Sequence, residues 1–443
     1  MASPSVALLK DRLKGAKLVR VLSYPDFRLL WIGAFLSFTG SWVQRIAQGY
    51  YVYSITHDEA KLGIVSFASS FPIFLFGFVA GSFADSFDKR KVLILAQILL
   101  GSSAFVLAYT TWRGTATFEL IVVMAVFVGL VGCVETPTRQ SIVSRVVPPE
   151  DLAAAVPVNA MTFNVARIFG PAIGGFLLAN IGVAPCYLVD GISFFALIWA
   201  ANAIRADLGK PEGRKQPVRD LIFEGALYTW REARLRALLI LETLTACFGI
   251  FYIPLIPAYV VEELGYSEQA SKAGIAYCYT SIGIGGLLGL VLITALSDSP
   301  HKGRIVRWSM IAIGTGLMAI SFIHSPFVAY PAMAVIGGAT IMQFNTTNAL
   351  FQLLSPERLR GRVLSMHIWA LNGLSPFGTL GLAWLAHESR TFTWQGPRGV
   401  ALSLVIGGSL VLVGAGYAWT QRHLLRDLGP RGESPSLIST TGP

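Results

Sequence analysis

The sequence predicts an all-α membrane protein, with twelve transmembrane helices arranged as two pseudo-symmetric six-helix bundles. Three observations predict it. Of 443 residues, 53% are hydrophobic and only 14% charged, against roughly 25% charged in an ordinary soluble chain, and no water-soluble core hides that much apolar surface. Apolar stretches long enough to cross a hydrocarbon core of roughly 30 Å at about 1.5 Å per residue recur near 29–55, 62–84, 92–112, 118–143, 158–179, 184–204, 237–260, 273–297, 305–324, 327–352, 364–386 and 399–420. Of the 35 Lys and Arg, five (Lys61, Arg113, Lys272, Arg390, Arg398) fall in one set of loops and three (Arg45, Arg139, Arg167) inside spans, and the remainder fall at the amino terminus, in the alternate loops and in the carboxyl tail. By the positive-inside rule this alternation expects both termini in the cytoplasm of a multi-pass inner-membrane protein. It also explains a net charge of +10 by topology, without nucleic acid as a partner.

In chain order, residues 1–26 are a basic cytoplasmic amino terminus (Lys10, Arg12, Lys14, Lys17, Arg20) without the apolar core or small-residue cleavage site of a signal peptide. Residues 27–204 form the first six-helix bundle. Residues 205–236, with Lys210, Pro211, Gly213, Arg214, Lys215 and Pro217, read as a cytoplasmic linker holding a surface helix near 221–235. The second bundle spans 237–420, and 421–443 is a Gly-, Pro- and Ser-rich tail expected to be disordered. The halves repeat weakly: Pro149-Glu150-Asp151-Leu152 after span 4 matches Pro356-Glu357-Arg358-Leu359 after span 10, with Val156 falling on Val363.

Polar residues within spans are site candidates, because an ionisable group at bilayer depth costs at least about 2.5 kcal/mol on insertion scales. Ser41, Gln44, Arg45 and Gln48 share one face of span 1, either as a cavity wall in which Arg45 attracts anionic groups or as a tie to a neighbouring helix. Glu135 and Arg139 stand four apart on span 4, acid first. A carboxylate so placed either trades a proton for substrate or braces the helix ahead of a break at Pro137. Arg167 lies on the face of span 5 that carries Gly170, Pro171 and Gly174, small residues that let helices approach closely. Gly283, Gly285, Gly286 and Gly289 of span 8 offer a partner surface. Thr245 of span 7 and Asn345 and Asn348 of span 10 are further candidates, the two Asn equally readable as interhelical hydrogen-bonding groups. Tyr252, with Phe248 and Phe251, could stack on an amphipathic substrate. Glu242 reads better as an interfacial carboxylate, and Asp190 falls toward the outer surface.

Four cysteines (Cys133, Cys186, Cys247, Cys278) have neither disulfide nor metal-ligand spacing, and the six histidines are scattered, so the reading includes no metal, no cofactor and no enzyme. No GxxxxGK[ST] loop occurs.

Three stretches carry a family resemblance. After span 2 comes Gly81-Ser-Phe-Ala-Asp85-Ser-Phe-Asp-Lys89-Arg90-Lys91, in which Asp85 suits a helix amino terminus and the basic cluster pins the loop inside. The second runs from Glu135-Thr-Pro137-Thr-Arg139-Gln140 through Val147-Pro148-Pro149 to Asn159, Asn164, Arg167 and Gly170-Pro171-Ala-Ile-Gly174-Gly175. The third is Asp26-Phe27-Arg28-Leu29 leading to Trp42-Val-Gln44-Arg45-Ile-Ala47-Gln48. Together they resemble the enterobactin-exporter and macrolide-efflux branch of the major facilitator superfamily over nearly the whole chain. Two departures stand out: Ser86 replaces the family's usual basic residue after Asp85, and Glu135 replaces its usual Asp.

The resemblance implies alternating access between two parallel six-helix repeats, with spans 1, 4, 7 and 10 lining a midplane cavity. It implies Gly81, Asp85, Arg90, Gly170, Pro171 and Gly174 as a conformational gate, and export of drug- or siderophore-like small molecules from a lipid-embedded monomer by proton antiport. An importer or facilitator of a nutrient or lipid-derived solute is the alternative within the fold. A non-transporting membrane sensor or scaffold is the alternative outside it.

Overall fold

The computed structural model describes residues 20–85, 87–209, 218–296, 299–356, 358–393 and 396–424. The long elements of the first half are α1 (Pro25–Thr56), α2 (Glu59–Asp85), α3 (Lys89–Trp112), α4 (Phe118–Val146), α5 (Leu152–Ile181) and α6 (Val183–Ala203). A shorter helix, α7 (Val218–Arg231), leads into the second half, which begins with α8 (Ala233–Phe248), α9 (Tyr252–Glu262), α10 (Glu268–Ala295) and α11 (Lys302–Ile320). It continues with α12 (Pro326–Leu354), α13 (Arg360–Trp369), α14 (Ser375–Ser389) and α15 (Gly399–Thr420). Taking α8 with α9 and α13 with α14 as single broken spans, each apolar stretch of the sequence falls on helix. Among the described residues, nine helices are long and apolar enough to cross a membrane. The spans outside that count are α1, α11 and the short helices α13 and α14 on either side of a break.

Helix boundaries follow local chemistry. Asp88 caps α3 by accepting from the backbone N–H groups of Arg90 (2.9 Å) and Lys91 (3.1 Å), and Thr117 caps α4 at Leu120 N. This corrects the sequence expectation that Asp85 caps a helix: Asp85 ends α2, and the cap is three residues later. The Asp85 side chain and the surroundings of Gly81 lie outside what is described. Gly182 separates α5 from α6 at φ 91°, a conformation nearly closed to other residues. The break expected at Pro137 is absent, since α4 runs unbroken through it. Thr138 Oγ1 donates to the Val134 carbonyl (2.7 Å) and the Glu135–Arg139 pair bridges the turn, so local side chains support a helix that proline would otherwise interrupt.

Helix pairings repeat between the halves. In the first half α2 packs on α4, α3 on α6 and on α4, and α1 on α5; in the second α10 packs on α12, α11 on α15 and on α12, and α8 on α14. The halves meet along two seams, α2 on α14 and α5 on α10, which exchange under the same correspondence. Glycines permit the closest approaches: a Cβ at Gly285 would stand 1.8 Å from the Ala334 carbonyl oxygen, and one at Gly175 2.1 Å from Ala276 Cβ across a seam.

Two spans are discontinuous. Between α8 and α9 the chain turns at Gly249, followed by Pro254 and Pro257. Pro257 has no N–H for the Ile253 carbonyl, which accepts instead from Tyr279 Oη (2.9 Å). Between α13 and α14 residues Ala370–Leu374 form a π turn ahead of Pro376. The two breaks touch: Cys247 Sγ donates to the Leu374 carbonyl (3.3 Å), and Gly378 has room for no Cβ against the Cys247 carbonyl.

Candidate functional site

The polar face of α1 turns inward. Gln44 is buried, with its Oε1 accepting from no group among the described residues, and Gln48 is half-buried. Arg45 lies between buried neighbours in sequence yet is itself exposed, with Asp190 and Tyr279 in electrostatic range from α6 and α10. A side chain flanked by three helices and still accessible lines a space inside the bundle. Arg45 stands 5.1 Å from the Trp42 ring centroid, and Arg167 of α5 stands 5.9 Å from the same ring. Among the described residues neither guanidinium has a carboxylate within ion-pair distance. Arg167 also faces a crevice lined by Ile282, Gly283, Gly286, Gly337 and Ile341 of the other half.

Gly170 and Gly174 make this arrangement possible in an unexpected way. A Cβ at Gly170 would meet Trp42 Cβ at 2.4 Å and one at Gly174 would meet Val43 Cα at 2.9 Å, so both serve the α5–α1 contact within one half. Pro171 beside them is buried. It is Gly175 that crosses to the other half. On α10, Gly285 and Gly289 press against Ala334 and Gly338 of α12, so the expected partner surface for α5 reduces to Gly283 and Gly286.

Glu135 and Arg139 are both buried and paired, Arg139 Nε donating to Glu135 Oε1 at 2.9 Å. Gln97 Nε2 (3.4 Å) and Thr136 Oγ1 (3.2 Å) also donate to the carboxylate, and the guanidinium lies 4.5 Å from the Phe38 ring centroid. Every charge here is answered. Asp190, expected toward the outer surface, is enclosed between α1 and α6 and accepts from Ser41 Oγ (3.2 Å).

In the second half, Thr245 is fully buried and accepts from Gln343 Nε2 of α12 (2.7 Å). Tyr252 is buried near Arg167 and Tyr279. Among the described residues Asn345 and Asn348 bond only within α12, Asn345 Nδ2 donating to the Ile341 carbonyl (2.8 Å) and Asn348 Oδ1 accepting from Gln352 (2.9 Å). The interhelical role belongs to Gln343, which the sequence reading missed. The signal was present, since Gln343, Thr347, Leu350 and Phe351 recur at helical spacing and all are buried. Glu242 and His367 were also underrated. Glu242 is fully buried and stands 3.5 Å from His367 Nδ1 of α13.

At the end of the bundle opposite the basic loops, one residue ties the halves. Arg390 contacts Glu59 of α2 (2.5 Å) and Glu262 of α9, and donates to the His57 carbonyl (3.4 Å). Tyr53 Oη donates to Glu262 (2.6 Å), again across the halves. Although burial works against its charge, Glu262 and Glu59 beside it push the Arg390 guanidinium above its ordinary range. Asp58, Glu59 and His387 bring three potential ligand atoms within 4.8 Å of one another. Arg390 on Glu59 and His387 beside Asp58 tie this cluster into the ion-pair network. Farther along the seam, Phe67, Phe71 and Phe74 of α2 interlock with Phe377 and Trp369, at centroid distances of 4.9–6.4 Å.

At the basic end, Arg90 closes α6 by donating to the carbonyls of Ile204 (2.6 Å) and Ala206 (3.2 Å). Glu224 of α7 is held by Arg358 (2.6 Å) and Arg362.

Helix pairings repeated between two halves, two broken spans and an accessible interior define a membrane transporter of the major facilitator fold. The chain belongs to the family described as transmembrane secretion effector, which matches residues 20–419. It is 27% identical to a staphyloferrin A transporter of Staphylococcus aureus over 383 residues, covering 84% of this chain and 93% of that one. It is 24% identical to the multidrug efflux pump Tap of Mycobacterium tuberculosis (80% and 85% covered) and 21% identical to the enterobactin exporter EntS of Escherichia coli (77% and 80% covered). Among solved structures, the nucleoside transporter NupG superposes with a TM-score of 0.69 at 14% identity, covering 90% of this chain and 99% of that one. A proton-coupled D-xylose symporter superposes with a TM-score of 0.67 at 12% identity, covering 90% and 97%.

Proposed function

We propose that the chain exports amphipathic, anionic small molecules of siderophore or drug type by alternating access, as a proton antiporter. The observation that carries this reading is the pair Arg45 and Arg167, two guanidiniums that, among the described residues, have no carboxylate within ion-pair distance and that share the Trp42 ring beside the interior space. Holding two such charges at membrane depth without a close ion-pair partner is costly, and a ligand with acidic groups and an apolar body would engage both, through charge-assisted hydrogen bonds and ring contact. The names of the relatives, two exporters of siderophores or drugs and one staphyloferrin transporter, agree with that chemistry.

In this reading residues 27–204 and 237–420 rock against each other and 205–236 links them. The basic loops face the cytoplasm, both termini lie there, and a single copy in the inner membrane suffices. The far-end tie at Arg390 and the aromatic seam of α2 and α14 hold one end shut while substrate enters from the other. Gln44, Gln48, Thr245 and Tyr252 complete the interior wall.

The test is transport into inside-out vesicles with an acidic lumen, using metal-free staphyloferrin A as the anionic probe and ethidium as a cationic control. Gradient-driven accumulation of the anion is expected, since protons leaving the lumen would exchange for it. Uptake confined to right-side-out vesicles would show an importer instead, and preference for ethidium would remove the role given to the two arginines.

A further inference from the structure

The second half contains a buried acid–base pair that the substrate pathway does not use. Glu242 of α8 is 0% exposed, His367 of α13 is 3% exposed, and Nδ1 of the histidine stands 3.5 Å from Glu242 Oε1. Neither carboxylate oxygen nor Nδ1 completes a hydrogen bond to any described residue. Thr347 of α12 lies beside the carboxylate, and the Phe351 ring covers the imidazole at 5.1 Å. Among the described residues neither group makes another ion pair. The charged groups near them in the chain are committed elsewhere, Arg362 to Glu224 and Arg236 to the Trp230 carbonyl. Cys247, the remaining titratable side chain on α8 near the break, gives its thiol to Leu374.

Charge counting decides what such a pair holds. A deprotonated carboxylate beside a neutral imidazole leaves a lone negative charge in an apolar site, at a cost of several kcal/mol. One shared proton removes that charge, whether the proton sits on oxygen or on nitrogen. The closed pair therefore retains one proton and releases it only when water reaches it.

Placement supplies the second, independent argument. Both members precede the discontinuities of their spans, His367 within one turn of the Ala370–Leu374 π turn and Glu242 about two turns ahead of Gly249, and those two breaks touch through Cys247, Leu374 and Gly378. Broken helices and π turns concentrate at coupling sites because a small rotation there parts the helices without unfolding them. The polar contact of Gln343 with Thr245 continues from the pair toward the interior.

We infer that Glu242 and His367 form a single-proton site in the second bundle, opened to water by movement between α8 and α13, and that this site carries the coupling proton. The inference rests on the antiport part of the function proposed above.

Two measurements test it separately from transport. Wild-type protein in nanodiscs is treated with dicyclohexylcarbodiimide, which modifies protonated carboxyls in apolar surroundings, and the adducts are mapped by mass spectrometry. Glu242 should be labelled and Glu135 spared, with Glu242 labelling falling about tenfold per pH unit above the midpoint of the pair. His367→Gln should move that midpoint. Labelling of Glu242 that is absent at every pH, or that has the same pH profile in His367→Gln, overturns the proposal without reference to any substrate. In vesicles, Glu242→Gln should abolish gradient-driven staphyloferrin A uptake yet keep substrate exchange. Gradient-driven uptake retained in Glu242→Gln overturns the coupling role. If the wild type moves no probe, the labelling result still stands for the proton site.

Discussion

Each half of the molecule buries a glutamate beside a basic side chain of that same half, and the two pairs are built on opposite principles. Glu135 has Arg139, Gln97 and Thr136 as donors, and Arg139 is further covered by Phe38. Its partner is a guanidinium, charged at any physiological pH, so the pair is permanent. Glu242 has a histidine 3.5 Å away and, among the described residues, no completed hydrogen bond. Its partner is an imidazole, which unlike a guanidinium exists in neutral and charged forms, so the pair is conditional. What distinguishes a brace from a switch here is whether the basic partner titrates and whether other donors satisfy the acid; burial is common to both.

The largest expected effect comes from breaking the permanent pair. Arg139→Ala leaves Glu135 buried and alone, and should cost about 3–5 kcal/mol of stability, read as a large drop in the thermal midpoint of the purified protein. Glu242→Gln should leave that midpoint unchanged or raise it. Equal losses in the two variants would abolish the distinction. Next, Arg45→Ala and Arg167→Ala should each raise the KM for the anionic probe about tenfold, near 1.4 kcal/mol, with little change for ethidium. At the far end Arg390 answers the buried Glu59 and the mostly covered Glu262, so Arg390→Gln should shift the balance toward an open far end, measured as faster thiol labelling in a Ser54→Cys background. The smallest effect belongs to Asn348→Ala. Its side chain bonds only within its own helix, so stability and transport should stay within about 0.6 kcal/mol of wild type, and a larger loss would show that it touches substrate or the other half.

The spans were readable from sequence because hydropathy and basic-loop alternation report directly on the lipid–water boundary. The Glu135–Arg139 pair was readable for a similar reason, since a four-residue spacing fixes both side chains on one helix face. Contacts between helices were not. Span 10 displays Gln343, Asn345, Thr346, Thr347 and Asn348 within six positions, and only the neighbouring helices decide that Gln343 reaches across while the asparagines turn back. Glu242 was misjudged because its depth near a span end suggested an interface, and only packing shows α12 and α13 closing over it. His367 stood among scattered histidines until the fold of the second half brought it to Glu242, 125 positions earlier in the chain. The α8–α9 interruption had visible causes in Gly249, Pro254 and Pro257. The π turn had only Pro376 as a signal, and Pro137 carried the same signal where the helix simply continues.

Arg390 holds two acids from opposite halves on one side chain. Parting the far end therefore severs several attractions in a single event, with no half-released intermediate of comparable energy. Because that end adjoins water, mobile ions can take over the freed charges, and the frequency of outward opening should climb with ionic strength. A cell bathed in brine and one in dilute medium would then run the same cycle at different paces, set by one guanidinium far from the cargo.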